Sequence, residues 1–273
     1  MKKRNILSVE HKNIIIFGGC GLLGSEFSKH LCSQGANIFV ADLNKKKFNY
    51  NFKKELKIND KNLFFIKTNI LNKKSLENCL TTVLKKLGSI DVVINTSAID
   101  SKYDKNFNKK QFSSLSKYPL NFWKRSIEIN LTGAFILSQV VSEYFNKVNK
   151  GHLINIGSNY GLVAPDQSIY KNNNKQVFFK PADYVVSKFG ILGLNKYLAS
   201  YYKNTKIRFN ILTPSGVENK QEKFFKKKYS NKTMLNRMSK SNEFNGAIQF
   251  LCSDASSYMT GSNLVIDGGW TVT

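Results

Sequence analysis

The chain has 273 residues, of which 41% are hydrophobic, and it carries a formal net charge of +24. That apolar fraction is large enough for a full core and excludes a disordered chain. No stretch approaches the ~18 consecutive apolar residues that a membrane span needs. The short basic segment before residue 13 lacks the apolar core of a secretory leader, so we expect a cytoplasmic protein that does not bind membranes.

The excess positive charge is spread along the chain. Short lysine runs recur, among them Lys45–Lys47, Lys85–Lys86 and Lys226–Lys228, whereas arginine, which is preferred for bidentate contacts to phosphates and bases, is scarce. This pattern favours a solvated surface over a nucleic-acid interface, although a positive field would also attract an anionic small molecule. The histidine and cysteine spacing is not typical of a metal site, so we predict no bound metal.

Short apolar runs alternate along the chain with longer stretches of helical periodicity. The predicted strands, in chain order, are Asn13–Phe17, Asn37–Ala41, Leu63–Lys67, Asp91–Asn95, His152–Gly157, Ile207–Leu212 and Asn263–Ile266. The main predicted helices are Leu22–Gln34, Lys73–Leu87, Leu120–Val148, Ala182–Tyr202 and Glu243–Leu251. This alternation predicts an α/β fold, a Rossmann-type doubly wound parallel sheet of about seven strands with helices on both faces.

We expect one domain over residues 1–273, with a dinucleotide-binding half (12–98) and a catalytic half (99–273). Three segments fit no element of a minimal fold of this kind: Ile99–Tyr118, about 165–180 and about 216–241. Each follows the carboxyl end of a predicted strand, where ligands bind in open parallel sheets. Long loops at that edge are commonly functional, so we predict that residues 165–180 and 216–241 form substrate lids.

The first predicted strand runs into a glycine-rich turn that directly precedes a helix. Gly18, Gly21 and Gly24 have the spacing of a phosphate-binding turn, and Leu22 and Leu23 begin the helix whose N-terminus would meet a pyrophosphate. Glycine-rich turns are common, but the strand–turn–helix context favours a dinucleotide site.

Asp42 ends the second predicted strand, where a carboxylate accepts hydrogen bonds from the adenosine ribose and repels a 2′-phosphate. This favours NAD over NADP as the cofactor. Alternatively, Asp42 only caps the following helix. After the fourth strand, Asn95, Ser97 and Ala98 include small side chains that would let a bulky cofactor pack against the backbone.

A second group of residues indicates proton-transfer chemistry. Tyr184 and Lys188 are four residues apart in a predicted helix and therefore share one face of it. Because a nearby ammonium stabilises phenolate, we expect Lys188 to lower the pKa of Tyr184 from its usual value of about 10. Ser158 brings a hydroxyl to the same sheet edge, and Asn130 is a polar residue within an apolar helical segment.

With these motifs in this order, the chain resembles the short-chain dehydrogenase/reductase family over about residues 12–270. The resemblance implies that Tyr184 exchanges a proton with the substrate oxygen, Ser158 orients the carbonyl, Lys188 holds the nicotinamide ribose and Asn130 fixes a relay water. It also implies a homodimer or homotetramer, and further cofactor contacts at Asn69, Ile70, Asn95, Ser97, Ala98, Pro214, Gly216 and Val217.

Within that family, one subgroup matches best. The run Asn159–Pro165, the long segment around Tyr170 and the run Asn210–Gln221 resemble oxidoreductases of flagellin-modification and nonulosonic-acid sugar pathways. The expected substrate is therefore a sugar, a sugar phosphate or a nucleotide sugar, with an anionic sugar among the candidates.

Two other functions stay open at this point. A nucleotide-sugar dehydratase or epimerase that retains its NAD would share the glycine spacing, but we would expect it to have a separate sugar-nucleotide domain after the seventh strand. A non-catalytic NAD- or RNA-binding protein would be expected to lack one of the four catalytic residues, all of which are present.

Overall fold

The computed structural model describes residues 5–55, 61–100 and 114–272. The strands are β1 (Asn13–Phe17), β2 (Asn37–Asp42), β3 (Leu63–Lys67), β4 (Val92–Asn95), β5 (Gly151–Ile156), β6 (Lys171–Asn172), β7 (Lys175–Gln176), β8 (Ile207–Pro214) and β9 (Asn263–Ile266). The α-helices are α1 (Leu22–Ser33), α2 (Lys45–Phe48), α3 (Lys73–Leu87), α4 (Leu120–Ile127), α5 (Gly133–Val148), α6 (Ala182–Tyr201), α7 (Lys223–Ser230) and α8 (Asn245–Cys252).

Seven of these strands form one sheet in the order β3-β2-β1-β4-β5-β8-β9. Every neighbouring pair in it is parallel. β1 lies near the middle, and the strand order reverses between β1 and β4, which is the switch point where ligands bind in folds of this kind. The predicted Rossmann-type parallel sheet is confirmed.

The central strands are largely apolar because helices cover both faces of the sheet. Along β1, Ile14 and Ile16 belong to one buried cluster that includes Phe27 of α1 and Ile248 of α8. The alternating residues of the same strand, among them Ile15, belong to a second cluster built on α3 and α5. Since successive strand side chains point to opposite faces, this division places one core on each side of the sheet.

The long helix predicted over Leu120–Val148 is interrupted. Between α4 and α5 the chain forms a π-helical turn, Glu128–Thr132, and Asn130 lies within this turn. Single π turns inside α-helices are frequent at functional sites. The polar stretch after β2 forms α2 and a π-helix, Asn49–Glu55.

Two of the three extra segments have structure of their own. Residues 165–180 contain a 3₁₀ turn, Gln167–Tyr170, and the antiparallel β6–β7 hairpin, whereas residues 216–241 contain α7. The predicted segment Ile99–Tyr118 falls largely outside the described residues. No helix within the described ranges is long and apolar enough to cross a membrane.

Candidate active site

A cleft of about 630 Å³ lies at the carboxyl edge of the sheet. Residues that follow β1, β4, β5 and β8 line it, together with residues of α6 and of the two extra segments. The predicted site residues among them are Gly21, Leu22, Leu23, Gly24, Ala98, Ser158, Tyr184, Lys188, Pro214, Gly216 and Val217. The fold therefore brings the candidate cofactor turn and the candidate catalytic group to one cavity.

The glycine turn between β1 and α1 is too tight for side chains. Gly18 has a φ of +69°, and a Cβ atom there would lie 2.7 Å from the backbone nitrogen of Ser97. A Cβ on Gly24 would lie 2.5 Å from the Gly18 carbonyl oxygen. Gly21 caps α1 without offering a side-chain acceptor to the amides of the first turn, which suits a phosphate as their acceptor. These features fit a dinucleotide.

Asp42 lies beside this turn. Its carboxylate accepts hydrogen bonds from the backbone N–H of Cys20 at 3.0 Å and of Asn44 at 3.0 Å. The cap of α2 is Asn44, whose side chain accepts from the Lys47 N–H. The alternative that Asp42 only caps this helix is therefore wrong, because Asp42 ties the end of β2 to the glycine turn.

Other predicted cofactor residues, among them Asn69, Ile70 and Asn95, do not line this cleft. The buried Asn95 donates to the side chain of Asn155 at 3.0 Å and accepts from the Ser97 N–H at 3.1 Å. The side chain of Asn69 accepts a hydrogen bond from the N–H of Leu71. Ile70 packs close to Gly133 of α5, where an added Cβ atom would lie 3.1 Å from the Ile70 side chain. In this arrangement Asn95 links β4 to β5, and its assignment as a cofactor contact stays a prediction.

The candidate catalytic side chains meet at the end of β5. The Ser158 hydroxyl lies near the phenol of Tyr184 and favours its ionised form, and it donates a hydrogen bond to the side-chain oxygen of Asn159 at 3.2 Å. Lys188 donates from Nζ to the Ile156 carbonyl oxygen at 2.8 Å, and this nitrogen lies 5.7 Å from the centroid of the Tyr184 ring. A substrate oxygen in the cleft would thus face a hydroxyl pair with a buried ammonium nearby.

The pKa of Tyr184 differs from the sequence-based expectation. Burial raises it to about 12, the negative charge of Asp100 raises it as well, and the hydrogen bond from Ser158 opposes the change. The expected lowering by Lys188 is wrong for the protein alone, because the removal of the phenol from water is the largest effect on its pKa. Burial also lowers the pKa of Lys188 to about 8, with a smaller contribution from Lys180.

Asn130 holds the backbone that follows β4. Its side-chain oxygen accepts from the Ile99 N–H at 2.7 Å, and its side-chain nitrogen donates to the Ile99 carbonyl at 2.9 Å. The same nitrogen lies 3.3 Å from the hydroxyl of Ser187 on α6. Asn130 does not line the cleft itself, so the part it plays in the structure is to clamp one of the cleft's walls.

We expect Asn130→Ala to destabilise the protein by about 1–3 kcal/mol, because the Ile99 N–H and C=O lose their partner. The free energy of unfolding in urea measures this effect. Asn146→Ala provides a matched control, since Asn146 is exposed on α5 and its loss should change stability by less than about 0.5 kcal/mol. Equal costs for the two variants would show that the clamp contributes nothing.

Sequence reasoning missed a charged pair in the cleft. Lys180 Nζ lies 2.5 Å from Asp100 Oδ2 and 3.7 Å from the centroid of the Tyr184 ring. Both residues occur in segments recognised as unusual, but no spacing signal connects positions so far apart in the chain.

An aromatic wall was also missed. We use this term for Tyr160, Tyr170, Phe225, Tyr229 and Trp270, which belong to one buried cluster. The Tyr229 hydroxyl accepts hydrogen bonds from the Gly216 N–H at 2.5 Å and from the Asn159 side chain at 3.1 Å, and its ring stacks on Trp270 at 4.1 Å. The wall therefore ties the segment after β8 to the turn after β5.

The parallel sheet, the glycine turn and the group of Ser158, Tyr184 and Lys188 define a dinucleotide-dependent oxidoreductase. A family model described as enoyl-(acyl carrier protein) reductase matches residues 22–271. The chain belongs to the short-chain dehydrogenase/reductase family and is an NAD(P)-dependent oxidoreductase acting on CH–OH groups. The resemblance predicted from the sequence is confirmed.

Relatives of known identity match nearly the full chain. Post-translational flagellin modification protein A from Campylobacter coli is 29% identical over 271 residues, which cover 96% of this chain and 99% of that protein. A short-chain dehydrogenase from Leptospira borgpetersenii, solved with bound NAD⁺, is 29% identical, with a TM-score of 0.82 and coverage of 99% and 97%. A gluconate 5-dehydrogenase from Burkholderia cenocepacia, solved with NADP and tartrate, shares the fold at 20% identity, with a TM-score of 0.83 and coverage of 98% of each chain.

Proposed function

We propose that this protein transfers hydride between NAD and a hydroxyl or carbonyl carbon of a sugar, sugar phosphate or nucleotide sugar in surface-glycan or flagellin-modification biosynthesis. The observation that carries the proposal is the composition of the cleft, in which the Ser158–Tyr184 pair faces an aromatic wall and several amide side chains. The similarity to a flagellin modification protein supports the same class of substrate.

The positions of the side chains support the catalytic roles proposed here. When bound, a nicotinamide dinucleotide supplies or accepts the hydride. Tyr184 would pass a proton to or from the substrate oxygen through its hydroxyl, and Ser158, which lines the same cleft beside that hydroxyl, would hold the same oxygen. Lys188 would hold the nicotinamide ribose, and the glycine turn with Asp42 would hold the pyrophosphate and the adenosine ribose.

The substrate side of the cleft suits a polyhydroxylated ring. Tyr160, Tyr170, Phe225 and Tyr229 line it with aromatic rings, which combine an apolar face with a polar edge. The amide side chains of Asn159, Asn219 and Gln221 also line the cleft. A few polar groups in an otherwise apolar pocket fix the orientation of a ligand, and amides can both donate to and accept from hydroxyls.

Residues 165–180 and 216–241 are proposed to cover this ligand as lids. The two segments are joined by an ion pair and a hydrogen bond: Lys232 Nζ lies 2.7 Å from Asp166 Oδ2, and Lys228 Nζ donates to the Ser168 carbonyl at 3.3 Å. Lys171 and Lys175 are exposed on the β6–β7 hairpin and do not line the cleft. Direct contact of these two lysines with an anionic substrate therefore has no support in this arrangement.

A substrate screen tests the proposal. The purified protein is assayed with NAD or NADH against sugars, sugar phosphates and nucleotide sugars, and with steroid and acyl-thioester substrates for comparison, by the absorbance of the reduced nicotinamide. The highest kcat/KM should fall among the sugars. A clear preference for a steroid or an acyl thioester would overturn the assigned substrate class and leave the family assignment intact.

The preference for NAD is tested at Asp42. Asp42→Asn should lower the ratio of the NADP to the NAD dissociation constant by about tenfold, or about 1.4 kcal/mol, because the charge that repels a 2′-phosphate is lost. Asparagine retains a side-chain oxygen for the turn amides, so thermal unfolding should change little. Binding is measured by calorimetry with both cofactors, and an unchanged ratio would show that another residue sets the choice.

A further inference from the structure

The ion pair between Lys180 and Asp100 occupies an unusual position for two charged side chains. Its side chains are 5% and 17% exposed, so both charges have been taken largely out of water, which is costly and gives little net stability. The Lys180 ammonium lies 3.7 Å from the centroid of the Tyr184 ring, well within the ~6 Å range of a cation–π contact. The pair therefore lies against the face of the candidate proton donor.

Both partners are held by backbone clamps. The Gln167 side chain accepts from the Lys180 N–H at 2.9 Å and donates to the Lys180 carbonyl at 3.1 Å. Gln176 in turn donates to the Gln167 carbonyl at 2.9 Å, so the 165–180 segment presents Lys180 in a fixed position. Asp100 directly follows Ile99, whose N–H and C=O are both bound by Asn130.

We propose that Lys180 and Asp100 together set the acidity of the Tyr184 phenol, with the ammonium stabilising the phenolate and the carboxylate opposing it. The inference rests on the proposed role of Tyr184 in proton transfer. Lys180 and Asp100 would thus be positioning residues that act through Tyr184. Residues 165–180 would then have a second role besides covering the substrate.

The other groups described around Tyr184 are neutral or already hydrogen-bonded, so the Lys180–Asp100 pair is the charged group whose effect on Tyr184 can be tested. Among the described residues, the other titratable or polar side chains around Tyr184 include members of α6, of the turn after β5 and of α7: Lys188, Asp183, Ser158, Tyr160 and Tyr229. Burial raises the pKa of Tyr160 and of Tyr229, so both phenols stay neutral at physiological pH. Asp183 accepts from the Tyr184 backbone N–H and from the Tyr118 hydroxyl, and Lys188 donates to the Ile156 carbonyl.

The Lys180 ammonium and the Asp100 carboxylate should have opposite effects on the pKa of Tyr184. A charge within about 4–6 Å commonly shifts a pKa by about 1–3 units. Removing the Lys180 ammonium should therefore raise the pKa of Tyr184, and removing the Asp100 carboxylate should lower it. Because the two effects have opposite signs on one group, the pKa of Tyr184 in the double variant should return towards the wild-type value.

Fluorine NMR of the full chain tests this without a substrate. The protein is labelled with 3-fluorotyrosine, whose phenol ionises at lower pH than tyrosine, and the Tyr184 line is assigned by its absence in Tyr184→Phe. We expect the Tyr184 midpoint to rise by about 1 unit or more in Lys180→Met, to fall in Asp100→Asn and to lie near wild type in the double variant. Lys171→Met, which removes an exposed lysine of the same segment, should leave it unchanged.

Shifts of the same sign in Lys180→Met and Asp100→Asn, or no shift in either, would overturn the proposal. The dispersion of the other tyrosine lines reports whether each variant is folded. Should Lys180→Met unfold, Lys180→Arg decides, because arginine keeps its charge at the pH of the titration: the midpoint should fall below wild type, and a rise would contradict the proposal. A failed sugar screen leaves this titration unaffected, so the two proposals fail separately.

Discussion

Replacing Tyr184 with phenylalanine is expected to lower turnover by about 10²–10⁴-fold, the usual contribution of a positioned general acid or base. The change removes one hydroxyl, which lies near Ser158 in the cleft. The glycine turn and Asp42 are untouched, so the dissociation constant for NAD should stay within about twofold of wild type, or about 0.4 kcal/mol. Steady-state kinetics with the best substrate of the screen, together with calorimetry of NAD binding, measure the two effects.

Tyr160→Phe is the matched control for this experiment. Tyr160 lines the same cleft, and its hydroxyl lies 3.3 Å from that of Tyr170, but it is not part of the pair with Ser158. It should retain most of the wild-type turnover. If Tyr184→Phe were as active as Tyr160→Phe, the phenol of Tyr184 could not be the proton donor.

Gly24→Ala should nearly abolish dinucleotide binding. The added Cβ would lie 2.5 Å from the Gly18 carbonyl oxygen and 2.7 Å from the Thr96 hydroxyl. A carbonyl in a tight turn has no room to move aside, so the turn or the start of α1 must shift. Overpacking of this kind typically costs about 1–3 kcal/mol, and the displaced amides would no longer converge on a pyrophosphate. Calorimetry with NAD and urea unfolding measure the two losses.

Gly246→Ala controls for the substitution itself. Gly246 lies in α8, and a Cβ there would meet no atom within 4 Å. Since alanine favours a helix over glycine, this variant should be more stable by roughly 0.5–1 kcal/mol and should bind NAD normally. Wild-type NAD affinity in Gly24→Ala would show that the close packing at Gly24 is not required for the cofactor site.

The sheet could be predicted because the sequence signals for its strands and helices lie within each element and at its ends. β1 and β3 have the predicted bounds, and so does α3, which begins after an asparagine cap, Asn72, and ends at Gly88 with a φ of +75°. Continuous apolar runs, caps and glycines are readable without knowledge of the partner elements. The glycine turn and the Tyr184–Lys188 face belong to the same kind of signal.

What escaped prediction depends on contacts between distant segments. The π turn that contains Asn130 changes the period of a helix too little to be seen in the sequence, and the Ile99 backbone that Asn130 binds lies far from it in the chain. The Lys180–Asp100 pair joins two irregular segments that have no common pattern. The acidity of Tyr184 was misjudged for a related reason, since spacing reveals a neighbouring ammonium but not how completely the phenol is removed from water.

The ion pair between Lys232 and Asp166 bears on how salt effects would be interpreted. It is half-exposed, with side chains 47% and 35% accessible, and such pairs weaken as ionic strength rises. If the two lids separate to release product, this pair must break, and added salt would ease the opening whatever the charge of the substrate. Acceleration or inhibition by salt would therefore reflect the contact between residues 165–180 and 216–241 as much as the charge of the ligand, and it cannot by itself identify an anionic sugar.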